Sequence, residues 1–122
     1  MKVFISGKMT GLTPEEYGAK FGNAAKKLQA EGYEVFNPSV PEWNDRMHDD
    51  GLSYGDILIN DFRKIMEFDA LYMLDNWKES KGATAEHAFA NAIGMKIMYE
   101  RPLPILPQMG RNLTRVMFNE IK

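Results

Sequence analysis

Two carboxylates occupy positions that a solvated acid does not need. Asp61 belongs to a periodic stretch opened by Ser53 and running to about Phe68. Projected at about 100° per residue, it falls inside the stripe of Ile57, Leu58, Phe62, Ile65 and Phe68, opposite Asn60, Arg63, Lys64 and Glu67. A carboxylate among apolar side chains must find a partner or lose solvation, and lost solvation raises its pKa toward values useful in proton transfer. Asp61 is therefore a candidate for that chemistry, the competing reading being an acid that caps a neighbouring loop from a helix edge. Glu86 lies at the border of a face formed by Ala85, Ala88, Phe89 and Ala92, and Gly82, Ala83 and Ala90 leave room in front of it. It falls in the first turn or two of its helix, where amide dipoles favour the ionised form that a nucleophile requires. An exposed glutamate near a helix start is the competing reading, and spacing alone does not choose between them.

Two loops could hold an anion or a sugar oxygen beside these acids. Gly7-Lys8-Met9-Thr10-Gly11 leaves a strand and precedes a helix, so its amides can point at a ligand. It has neither the dinucleotide fingerprint nor the P-loop spacing, and a plain strand-to-helix turn reads the same way. Ser80 and Gly82 offer a hydroxyl and a close backbone approach at the start of the next helix. His48-Asp49-Asp50 has no second cluster to complete a metal site, so a solvated loop is expected there and no metal. His87 follows Glu86 but points about 100° away on a helix, so it is not expected to be its proton partner. Trp43 and Trp77 flank the expected mouth, where either base stacking or rim packing suits them.

These residues need a frame, and the apolar pattern supplies one. Lys2–Ser6 reads as a strand; Thr13, Pro14 and Glu16 open a helix that carries Tyr17, Phe21, Ala24 and Leu28 and stops at Gly32. A second strand spans residues 33–36, and residues 38–53, rich in breakers and without a period, are expected to be a long loop. The Ser53 helix leads to a strand at residues 70–74, a polar loop at 75–82, a helix at about Ala83–Ile93 and a strand at 96–99. Residues 101–110 hold three prolines and cannot be regular, while Leu113, Val116, Met117 and Ile121 suggest a terminal helix. Strands alternating with helices imply one flavodoxin-like, doubly wound parallel sheet of four to five strands in three α/β/α layers, spanning residues 1–122 as a single domain. Ligands of such sheets lie beyond the carboxyl ends of the strands, where strand order reverses.

Composition narrows the partner. With 122 residues, 44% of them hydrophobic, and a net charge of −2 without a basic face, the chain suits one core and a small ligand rather than nucleic acid. It has no cysteine, which removes disulfides and thiolate metal sites and points to a reducing cytoplasm. The first residues do not read as a secretory signal, and no apolar run approaches the roughly 20 residues that span a bilayer. No cofactor motif stands out.

Taken together, Val3 to Gly11, Asn60 to Asp69 and Ser80-Lys-Gly-Ala-Thr-Ala-Glu86 resemble the nucleoside 2-deoxyribosyltransferase superfamily. The likeness is greatest to its phage- and bacterium-borne branch of small uncharacterised proteins, the DUF4406 type, and extends to the 2′-deoxynucleoside 5′-monophosphate N-glycosidases. It covers roughly the first hundred residues in order, and the Ser-x-Gly-x-x-x-Glu element is its most specific part. The resemblance implies that Glu86 attacks the anomeric carbon and that Asp61 assists near the sugar or base. It also implies that Ser80, Gly82 and the amides around Gly7 to Met9 hold a 5′-hydroxyl or 5′-phosphate. Phe4, Ser6, Lys8 and Asp75 complete the expected substrate contacts; Phe4 stands where both enzyme groups usually carry a tyrosine that orients the nucleophile. Where the hydrolases often have an arginine this chain has Thr10, leaving Lys8, Lys78 or Lys81 to supply charge. The expected substrate is a deoxynucleoside or deoxynucleotide, and the expected assembly a homodimer or larger homo-oligomer, with Asn112 or Asn119 completing a neighbour's site. A non-catalytic nucleotide-binding module with the same pocket is the second reading.

Overall fold

Strand β1 (Lys2–Ser6) is central in the sheet, and its alternating side chains sort the molecule into layers. The structure is a computed structural model and describes residues 1–49 and 51–101. Val3 and Ile5 face α1 (Pro14–Ala30), packing with its Phe21, Ala24 and Leu28. Phe4 faces the other way, into a cluster with Ile65 of α3 (Tyr54–Ile65) and Ala83 and Ala90 of α4 (Lys81–Ala92). Strand β3 (Ala70–Met73) repeats the division: Ala70 and Tyr72 join the first cluster, Leu71 and Met73 the second.

With β2 (Glu34–Phe36) and β4 (Lys96–Tyr99) the sheet has the order β2-β1-β3-β4, and every pairing is parallel. Val3 pairs with Val35 on one side and with Ala70 on the other. The chain builds outward from β1 to β2, then returns past β1 to build β3 and β4. The switch point therefore lies between β1 and β3, as the flavodoxin-like doubly wound fold requires.

Helix starts follow the side-chain caps. Thr13 accepts from the Glu16 amide at 3.1 Å while Glu16 accepts from the Thr13 amide at 2.8 Å, and Ser53 and Asp56 form the same reciprocal box, each bond 3.1 Å. Ser80 accepts from the Ala83 amide at 3.1 Å, so α4 begins at Lys81, two residues before the expected start, and a 3-10 turn at Trp77–Glu79 shortens the preceding loop. The Ser53 helix ends at Ile65 rather than Phe68, since the Phe68 amide turns back to the Ile65 carbonyl at 2.9 Å.

The long loop expected at residues 38–53 contains a helix, α2 (Pro41–Asp49). Pro41 suits a first helical turn, where its missing donor has no acceptor to lose, but the segment is polar on average and its apolar residues are few, so its helical period is inconspicuous. Tertiary contact supplies what periodicity did not: Trp43 meets Phe36 edge-on, with ring centroids 5.3 Å apart. The expected irregular segment 101–110 beyond Arg101, the terminal helix, Asn112, Asn119 and Asp50 lie outside the described residues. Among the described residues no helix is long and apolar enough to cross a membrane.

Candidate active site

Ser6 is the last residue of β1 and shares its sheet face with Phe4, so it points toward α4 rather than α1. Its hydroxyl donates to Glu86 Oε1 at 2.6 Å, and both residues are buried, with 1% and 8% of their surface exposed. Asp61 of α3 shares a hydrogen bond with the same carboxyl. Three groups that are distant in sequence thus meet on one face of the sheet, at the switch point between β1 and β3.

Glu86 holds its proton well above the ordinary value of 4.5, because burial removes water, the Asp61 charge repels a second negative charge, and the Asp61 hydrogen bond adds to the rise. The Ser6 bond opposes them without prevailing. This corrects the expectation drawn from the helix dipole: a position early in α4 favours the anion, but burial beside a second carboxylate outweighs it. The pair behaves as two acids that resist holding two negative charges at once.

A cleft of about 440 Å³ opens over the pair. Ser6, Gly7, Met9, Asp61, Ser80, Gly82 and Glu86, all expected at the site, line it together. Gly7 is required by its neighbour, since a Cβ there would fall 2.6 Å from Leu74 Cδ1. The loops after β1 and β3 are held side by side, as the Lys8 amide donates to Asn76 Oδ1 at 3.1 Å.

Phe4, Lys8 and Asp75, also expected at the site, are not among the residues that line the cleft. Phe4 is wholly buried one step below Ser6, against the rings of Phe36 and Phe68 at 5.3 and 5.8 Å. The Lys8 ammonium lies 3.5 Å from Glu79. Asp75 accepts from Lys20 at 2.8 Å, and that bond holds its carboxyl below the usual range. Trp43 lines the cleft, whereas Trp77 stacks on His87 at 4.2 Å, and the His87 Nε2 lies 2.8 Å from the Tyr99 hydroxyl, away from Glu86.

Sequence reading missed Tyr17, Asn44, Asp45 and Tyr54 as lining residues. Asn44 Nδ2 donates to the Tyr17 hydroxyl at 3.3 Å, which ties α2 to α1 across the cleft. For Tyr54 a signal existed: it precedes Ile57, Leu58 and Asp61 by three, four and seven residues, which places it on the same helical stripe. Among the described residues no group of three or more histidine, aspartate or glutamate side chains is placed to hold a metal ion.

Fold and cleft together define a doubly wound α/β domain with a buried glutamate and a half-buried aspartate at its switch point. Residues 1–99 match the model of DUF4406, a domain of unknown function, and the chain belongs to that family. No match is found among curated proteins or among solved structures.

Proposed function

We propose that the protein cleaves or exchanges the N-glycosidic bond of a 2′-deoxynucleoside or its 5′-monophosphate. The observation that carries this reading is the Ser6–Glu86–Asp61 group lining the cleft, with Ser6 and Glu86 buried and Asp61 half-buried. Two carboxyls that share one proton hold, in a single arrangement, a nucleophile and an acid. Once the Glu86 proton has passed to Asp61 across the hydrogen bond they share, the Glu86 carboxylate attacks the anomeric carbon; the C–O bond forms as the C–N bond breaks. The base departs with the bonding electron pair and takes the Asp61 proton. Water then attacks the same carbon, Asp61 takes up its proton and Glu86 is released; a second base in place of water gives exchange. Ser6 steadies the Glu86 anion by donation, and Ser80, Gly82 and the loop after β1 grip the 5′ end.

The cysteine-free composition fits a cytoplasmic enzyme. Ile59 and Met66, seven residues apart on α3 and its end, are 50% and 58% exposed, which supports pairing of two copies through that helix. The second reading, a pocket that binds without turnover, is favoured by one observation: Phe4 brings no hydroxyl and is enclosed by aromatic rings.

The test is incubation of the protein with a deoxynucleoside and its 5′-monophosphate, with and without an acceptor base. Free base marks hydrolysis and a new nucleoside marks transfer. A 2-fluoro-2-deoxyribosyl substrate should leave an adduct on Glu86 by mass spectrometry. Full activity in Glu86→Ala would remove the nucleophile assignment, and binding without either product would leave the pocket-only reading standing.

A further inference from the structure

A Cβ added at Gly82 would lie 2.9 Å from the Tyr54 hydroxyl and 3.9 Å from Ser80 Oγ. Two hydroxyls, one from the first residue of α3 and one from the residue that caps α4, therefore converge on a space kept empty of side chain. Both residues line the cleft that holds Glu86 and Asp61. Tyr54 is 55% exposed, so its ring is not committed to the core; what fixes it is its place on the stripe it shares with Leu58 and Asp61.

We infer that Tyr54 is a substrate-binding residue that donates from its phenol to the oxygen at the 5′ position of the sugar, opposite Ser80 across Gly82. The inference rests on the proposed reading of the cleft, which sets the 5′ end at Ser80 and Gly82. It goes beyond that reading by assigning a donor from a different helix. Burial and the charges of Glu86 and Asp61 push the Tyr54 phenol up, so it keeps its proton and remains a donor throughout the range in which the acid pair titrates. The acceptor is an oxygen in both a nucleoside and a nucleotide. A hydroxyl accepts as a neutral group and a phosphate as a charged one, so the two substrates respond differently to loss of the donor.

The experiment compares wild type with Tyr54→Phe in the full chain on three ligands with one base: the deoxynucleoside, its 5′-monophosphate, and the 2′,5′-dideoxynucleoside that lacks the oxygen. The phenylalanine keeps the ring and removes only the donor. KM should rise by roughly 3- to 10-fold for the nucleoside and by roughly 10- to 100-fold for the monophosphate, with no change for the dideoxynucleoside. Gly82→Ala, which displaces the hydroxyl without deleting it, should show the same ranking. An equal loss on all three ligands, or no loss on any, would overturn the inference while base release by wild type keeps the glycosidase reading intact. If wild type releases no base, that reading falls, and equilibrium binding of the same three ligands to the two proteins reads Tyr54 on its own. A wild-type preference for ligands with a 5′ oxygen that Tyr54→Phe abolishes supports it, and equal binding or none removes it.

Discussion

The Ser6 hydroxyl donates to Glu86 Oε1 across 80 residues of sequence, and it draws the Glu86 proton affinity down against burial and Asp61. The last residue of a central strand thereby sets the chemistry of a residue in the second turn of α4.

Ser6→Ala removes the opposing contact and leaves a buried carboxyl short of a donor. The acid limb of the kcat profile should move to higher pH, with activity at neutral pH lower by about tenfold and stability lower by about 1–3 kcal/mol in urea unfolding. A limb that stays where it was in wild type would deny Ser6 its electrostatic role.

Glu86 makes stability depend on pH in a defined direction. Its folded proton affinity exceeds its unfolded one, so its contribution is fully present below about 4.5 and declines as pH rises through the displaced value. Each tenfold gain in proton affinity is worth about 1.4 kcal/mol. Glu86→Gln, which still accepts from Ser6, should melt progressively above wild type as pH is raised from 5 to about 8. A melting difference that is flat across this range would contradict the buried, proton-retaining carboxyl.

Asp61→Asn removes the second-largest cause of the Glu86 displacement and the proposed proton donor together. The Glu86 carboxyl, followed by carbon NMR, should titrate at lower pH, while base release falls by about 10²–10⁴-fold. Retained base release with a shifted titration would separate the two roles and leave Asp61 only the electrostatic one.

Gly7→Ala drives a methyl group against Leu74 Cδ1 and Cβ, at 2.6 and 2.9 Å. The strand ends must part to admit it, so unfolding should become easier by about 1–3 kcal/mol. Urea midpoints equal to wild type would show that Leu74 yields freely.

Asp75→Asn breaks the pair with Lys20, whose side chains are 30% and 35% exposed. At that exposure it should cost no more than about 1 kcal/mol and leave KM for the deoxynucleotide unchanged. A severalfold rise in KM would return Asp75 to the substrate.

The frame was legible wherever local signals act alone. Thr13 with Glu16 and Ser53 with Asp56 announce helix starts because each cap is closed within four residues, and Lys96–Tyr99 reads as a strand between Gly94 and the polar Glu100. Helix α2 was not legible, since its polar sequence gains its order from Trp43 against Phe36, a contact made only after folding. Asp61 and Glu86 were legible as anomalies on helix faces, and Tyr54 was legible on the same stripe yet inconspicuous, because an aromatic residue beside apolar ones raises no question.

The sequence by itself determined the alternation of the four strands with α1, α3 and α4, the parallel class of the sheet and the identity of the two acids, because periodicity, caps and glycines act over a few residues. Only the tertiary structure decided that Ser6 touches Glu86, that Asp61 meets the same carboxyl, that Phe4, Lys8 and Asp75 stand outside the cleft, and that the Tyr54 hydroxyl reaches Gly82. The dipole at the start of α4 acts locally and favours an ionised Glu86. The burial that reverses this is assembled from three separate parts of the chain, and no local pattern carries it.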